Sequence, residues 1–71
     1  MSYRERMYEI VEEYGLPEIP EEGIGDRELV LKRQYEESEV IAEGVTLEDA
    51  KEYCSREDTH GNGWFVLFRR Q

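Results

Sequence analysis

Trp64-Phe65-Val66-Leu67-Phe68 is the longest uninterrupted apolar run in the chain, and Arg69-Arg70 closes it. Aromatic and β-branched residues concentrated in so short a stretch favour a strand. Successive side chains of a strand point to opposite faces, so Trp64, Val66 and Phe68 share one face while Phe65 and Leu67 take the other. A strand apolar on both faces needs cover on both, from helices of the same chain or from another subunit. The requirement is severe because the chain has only 71 residues. A chain of that size buries roughly 60% of its unfolded surface, so it can build one thin core. If both of its helices stack on one face, Phe65 and Leu67 are left for a partner. We therefore expect these two residues to contribute to a self-association or partner interface.

The helices are marked by period and by capping residues. Tyr3, Met7, Ile10, Val11 and Tyr14 recur at helical spacing, with Ser2 and Glu5 forming a capping box before them. Gly15 can take the left-handed conformation that ends helices, and Pro17 prevents continuation. These features predict a helix over residues 3–14. Residues 15–28 then form an acidic linker punctuated by two prolines and three glycines, which Leu16, Ile19 and Ile24 would pin to the core. Within it, Gly23-Ile24-Gly25 lacks the strand-to-helix context of a phosphate loop.

Residues 29–43 predict a hairpin. Leu29, Leu31, Arg33 and Tyr35 would share one side, Glu36-Glu37-Ser38 would turn the chain, and Glu39 to Glu43 would return it to Gly44. A second helix is expected over residues 47–55. Thr46 is its cap, Val45 and Ala50 form a hydrophobic staple, and Leu47, Ala50, Tyr53 and Cys54 face inward. Residues 55–63 read as a polar loop before the strand at 64–68. The resulting expectation is a small single α+β domain of order α-β-β-α-β, with residues 29–71 as a ββαβ unit. Its sheet would have three antiparallel strands in spatial order 2-1-3, with the helices packed on it and the third strand at an edge.

Gly44-Val45-Thr46-Leu47-Glu48-Asp49-Ala50, followed by Cys54-Ser55-Arg56-Glu57-Asp58-Thr59-His60-Gly61-Asn62-Gly63-Trp64-Phe65, resembles a segment of small uncharacterised actinobacteriophage proteins. That segment reads approximately GLTLEEAQ…HCSREDTHGDGWF. The resemblance spans about residues 39–68. Tyr53 stands where a histidine is frequent, and Val66-Leu67-Phe68 replaces a more polar ending. The resemblance implies a phage-encoded accessory protein and brings no catalytic residues with it.

Charge narrows the function classes. Eighteen acids against nine bases leave a formal net charge of −9, and residues 1–28 alone carry −6. Such a balance argues against direct nucleic-acid binding, which needs clustered cations to neutralise phosphates. No apolar run reaches the ~20 residues that span a membrane. The single cysteine forms no intramolecular disulfide. Cys54 and His60, with Asp49, Glu57 and Asp58 near in sequence, fall short of the paired Cys and His spacing of structural zinc, so neither metal nor cofactor is expected. No deep cleft for catalysis is expected either, and the chain reads as a non-enzyme. The loop from Arg56 to Trp64 is better explained by turn chemistry, with Asp58 or Thr59 bonding to following backbone N–H groups. Lys32, Arg33, Arg69 and Arg70 would make a small basic spot, balanced across strands by Glu36, Glu39 and Glu43.

The acids have two readings. One is solubility. The other is mimicry of phosphate: carboxylates along a helix and linker can occupy a cationic groove of a nucleic-acid-binding protein. The residues expected to meet a partner are Glu9, Glu12, Glu13, Glu21 and Glu22, besides Phe65 and Leu67. The expected partner is a protein, with a host protein met in the cytoplasm as one form of that expectation. A homo-oligomer or a larger assembly joined through the last strand is the second expectation.

Overall fold

The structure, a computed structural model, describes residues 3–71, with side chains from Tyr8 onward. The Ser2–Glu5 capping box and the Tyr3 and Met7 side chains lie outside the described residues. Helix α1 runs Tyr3–Tyr14. It ends in two closing bonds, Gly15 N–H to the Glu12 carbonyl at 3.3 Å and Leu16 N–H to the Val11 carbonyl at 3.0 Å. This is the Schellman arrangement, and it brings Leu16 back over the helix it has just left. Ile10 and Leu16 are both buried in the core.

Residues 15–26 form a strap without regular structure, and strand β1 begins at Arg27, earlier than the hairpin pattern indicates. β1 (Arg27–Arg33) pairs antiparallel with β2 (Glu39–Val45). Helix α2 (Leu47–Ser55) follows, then a 3-10 turn over Glu57–Thr59. The chain closes with the two-residue strand β3 (His60–Gly61) and with β4 (Trp64–Arg70). The sheet order is β2-β1-β4-β3, all neighbours antiparallel. β1 is thus central between β2 and β4.

The fold is α+β with two helices, but its sheet has four strands where three are expected. The difference arises at Asn62-Gly63. Gly63 adopts φ +84°, which lets a two-residue turn fold His60 and Gly61 back against Phe65 and Trp64. The start of β4 is therefore covered by β3 and is not a sheet edge. The Asn-Gly pair is itself a hairpin signal, read above only as part of a polar loop.

The core lies on one face of the sheet, under both helices. Leu29, Leu31, Ile41, Ala42, Val45, Ala50 and Val66 are buried there with Ile10, Leu16 and Tyr53. Ile41 and Ala42 are adjacent, yet both enter the core. The β1–β2 register shifts between Leu29↔Ala42 and Val30↔Val40, and this bulge turns the extra residue inward. Trp64 and Phe68 pack against the same cluster. Tyr14 of α1 meets Trp64 with ring centroids 4.9 Å apart and planes tilted by 60°.

Two side chains expected to reach the core do not: Ile24 is 63% exposed on the strap, and Leu47 lies exposed on the first turn of α2. Tyr35, expected on one side with Leu29 and Leu31, projects from the β1–β2 turn beyond the end of β1. Conversely, Val30 is buried although it points away from the core; its strand neighbours Val40 and Leu67 cover it.

Candidate functional site

The strap is fixed at both ends and carries its acids between them. At one end the Tyr53 hydroxyl donates to the Pro17 carbonyl at 3.0 Å. Burial pushes the ionisation of this phenol well above its ordinary range, so the donor proton stays in place. At the other end the Gly23 and Gly25 amides both donate to the Gly44 carbonyl at 2.8 Å. Contact there is backbone to backbone: a Cβ on Gly44 would lie 2.6 Å from the Gly23 nitrogen. Gly25 is likewise pressed against the end of β2, where a Cβ would overlap the Val45 carbonyl carbon, while Gly23 turns the chain at φ +96°.

Between these anchors, the strap and α1 enclose an open cleft of about 480 Å3. Tyr8, Val11, Ile19 and Pro20 supply its apolar lining, and Glu18, Glu21 and Glu22 its carboxylates. Tyr8 is 70% exposed, so the cleft has an accessible aromatic wall. One carboxylate oxygen of Glu22 is shut off from solvent and has no hydrogen-bond partner among the described residues. Of the residues expected to meet a partner, the structure brings Glu21 and Glu22 together in this cleft. Glu9, Glu12 and Glu13 are exposed on α1 and are not part of its lining. Phe65 and Leu67 belong to a different surface.

Sequence reasoning missed Glu18 and the apolar lining. A signal was present in Tyr8, an aromatic residue outside the inward helical series, and in Ile19-Pro20 directly before the paired acids. A second cleft lies across the strap, against α2, where Asp49, Glu52 and Asp58 are accompanied by Arg56. Arg56 pairs with Asp58 at 3.3 Å.

Three of the four cations of the basic spot, Arg33, Arg69 and Arg70, have carboxylate partners. Arg33 lies 3.2 Å from Glu36 and 3.7 Å from Glu39, and also donates to the Glu37 carbonyl at 2.7 Å. A hydrogen bond with Tyr14, aided by these carboxylates, raises its pKa still further. Arg69 pairs with Glu28, and Arg70 lies 3.8 Å from Asp26. Glu36 and Glu39 act as expected; Glu28 and Asp26 take the part assigned to Glu43. None of the ion pairs among the described side chains involves Glu9, Glu12, Glu13, Glu18, Glu21 or Glu22.

Phe65 and Leu67 point away from the helices. Phe65 is 45% exposed and Leu67 partly so. With Val30 and Val40 they line the helix-free face of the sheet.

Thr59 is buried, and its hydroxyl lies 2.8 Å from the Arg56 carbonyl. It therefore closes the end of α2 by donating backwards, not by accepting from later amides as expected. Cys54 is half-buried, and burial pushes its thiol up to about 11. His60 is exposed on β3. Among the described residues, no three His, Cys, Asp or Glu side chains are gathered closely enough to hold a metal ion. No described helix is long and apolar enough to cross a membrane.

The chain is thus a two-layer α+β protein with an acid-rimmed cleft beside its first helix. No protein-family model, curated protein or solved structure matches it.

Proposed function

We propose that this is a phage-encoded accessory protein that binds a protein partner in the host cytoplasm, through the carboxylates of α1 and the strap. The partner in this reading is a host protein that itself binds nucleic acid, whose cationic groove the carboxylates occupy in place of phosphates. Catalysis and a cofactor have no part in it. The observation that carries the reading is the division of charge. The arginines Arg33, Arg69 and Arg70 of the strands are matched by Asp26, Glu28, Glu36 and Glu39, whereas Glu9, Glu12, Glu13, Glu21 and Glu22 are in none of those pairs. Unmatched carboxylates of one sign steer and select a basic partner. The test is affinity capture from host lysate, comparing the wild type with a variant carrying lysine at positions 9, 12, 13, 21 and 22. Recovery of a nucleic-acid-binding protein that DNA displaces and the variant fails to capture supports the reading. An unchanged set of captured proteins overturns it.

A second reading has its own observation. The exposure of Phe65 on the helix-free face favours a structural role, as an oligomer or a component of a larger assembly joined through β4. Fully burying a side chain of this size is worth roughly 1.5–3 kcal/mol. Phe65→Glu should then abolish association, read as solution mass, with the circular dichroism unchanged. Unfolding of a protein already shown to be monomeric would make Phe65 ordinary core and end this reading.

A further inference from the structure

The cleft between α1 and the strap says more about a partner than the charge does. We infer that it is a docking groove for a basic peptide segment of a protein partner, one that presents a single large apolar side chain flanked by lysine or arginine. The inference rests on the acidic-surface reading above and sharpens it to one place and one chemistry. A phosphate-mimicking surface needs only carboxylates. This cleft also has an apolar interior between Tyr8, Val11 and Ile19, open enough to admit a side chain. Its rim supplies Glu18, Glu21 and Glu22, so the occupant's flanks must be cationic. Carboxylates gathered at Glu18, Glu21 and Glu22 favour a cationic N–H from the occupant, which forms a charge-assisted bond with a carboxylate oxygen. The cleft on the α2 side does not make the same case, since Arg56 already sits among its acids.

The anchoring of the strap supports a preformed groove. Its carboxylates lie between the Pro17 and Gly23 attachments, so little ordering is left to be done on binding. The occupant needs no regular structure of its own.

The experiment uses two fluorescently labelled synthetic peptides of lysine and arginine, one with a central tryptophan and one with a central serine, titrated with the full-length protein. The tryptophan peptide should bind at least about tenfold more tightly, the factor that roughly 1.4 kcal/mol of apolar burial provides. That advantage should disappear in Tyr8→Ser, a change at an exposed position that leaves the core intact. Glu22→Gln should weaken binding of the tryptophan peptide. If both peptides bind equally and salt weakens both, the groove is overturned while the acidic-surface reading stands. If neither binds, both fall. If the tryptophan advantage survives Tyr8→Ser, the peptide lies elsewhere and the groove is again overturned.

Discussion

Residues 27–70 and residues 3–26 are held by different forces. In the ββαββ unit, Leu29, Leu31, Ile41, Ala42, Val45 and Ala50 are fully buried, and the strand arginines Arg33 and Arg69 find carboxylates close by. Among the described side chains, the N-terminal part contributes Ile10 and Leu16 to that core, with Val11, Tyr14 and Ile19 packed half-buried against it. Its remaining attachments are directional: Tyr53 to Pro17, the Gly23 and Gly25 amides to Gly44, and Tyr14 against Trp64. A segment fixed by a few polar contacts at its ends can carry charges in between without burying them. The unit with the dense core supplies stability, and the tethered segment presents the carboxylates.

The largest test of this division is a pair of truncations. Ile41→Ala should destabilise by about 2–5 kcal/mol, as expected for a filled core position. Ile19→Ala, at a partly buried strap position, should cost about 1 kcal/mol or less, near the middle of ordinary substitutions. Urea denaturation measures both, and equal losses would erase the distinction.

Alkali should act next. The Cys54 thiol is held up to about 11 against an ordinary 9.0. At pH 8, two pH units' difference leaves about a hundredfold less thiolate in the folded chain than in the unfolded one. Alkylation by iodoacetamide should therefore be far slower before denaturation than after it. The raised value also sets the sign for stability. The unfolded thiol ionises first, so the thiol's contribution to stability is constant below pH 9 and is lost as pH rises towards 11. Tyr53, raised by the same burial, extends the loss to higher pH. Equal alkylation rates in the folded and unfolded states would place Cys54 in water.

Tyr53→Phe isolates the joint between the two regions. It removes the donor to the Pro17 carbonyl, at a cost of about 1 kcal/mol. Amide exchange should quicken over residues 18–22 and stay unchanged in β1 and β2. A uniform change across the chain would mean that the strap and sheet open together.

The smallest effect concerns salt. Between about 0.01 M and 0.1 M the Debye length falls from ~30 Å to ~10 Å, which screens the repulsion of a chain at −9. Stability should rise by about 0.5 kcal/mol, the scale of exposed charge interactions. Replacing Glu12, Glu21 and Glu22 with glutamine should shrink the rise. A melting temperature that falls with salt would show the ion pairs of Arg33 and Arg69 outweighing the net repulsion.

Both helices were legible in the sequence because their signals are local. The period of α1, the Gly15 stop and the Thr46 cap, which accepts from the Asp49 amide at 3.2 Å, all act within a turn or two of backbone. The strand at Trp64 was legible for the same reason, and so was the opposition of Phe65 and Leu67 to Val66. Other features required the tertiary structure. Ile24 and Leu47 look like core residues by type, yet neither is buried, while Val30 is covered on the side away from the helices. The cleft depends on the strap reaching Gly44 and Tyr53, contacts between residues far apart in the chain. Periodicity within one segment constrains which face is apolar; it carries no information about which distant backbone will pass close enough to shut off one Glu22 oxygen or to leave Tyr8 open. Those outcomes follow from packing two helices and a strap on one face of a twisted sheet, where each placement depends on all the others.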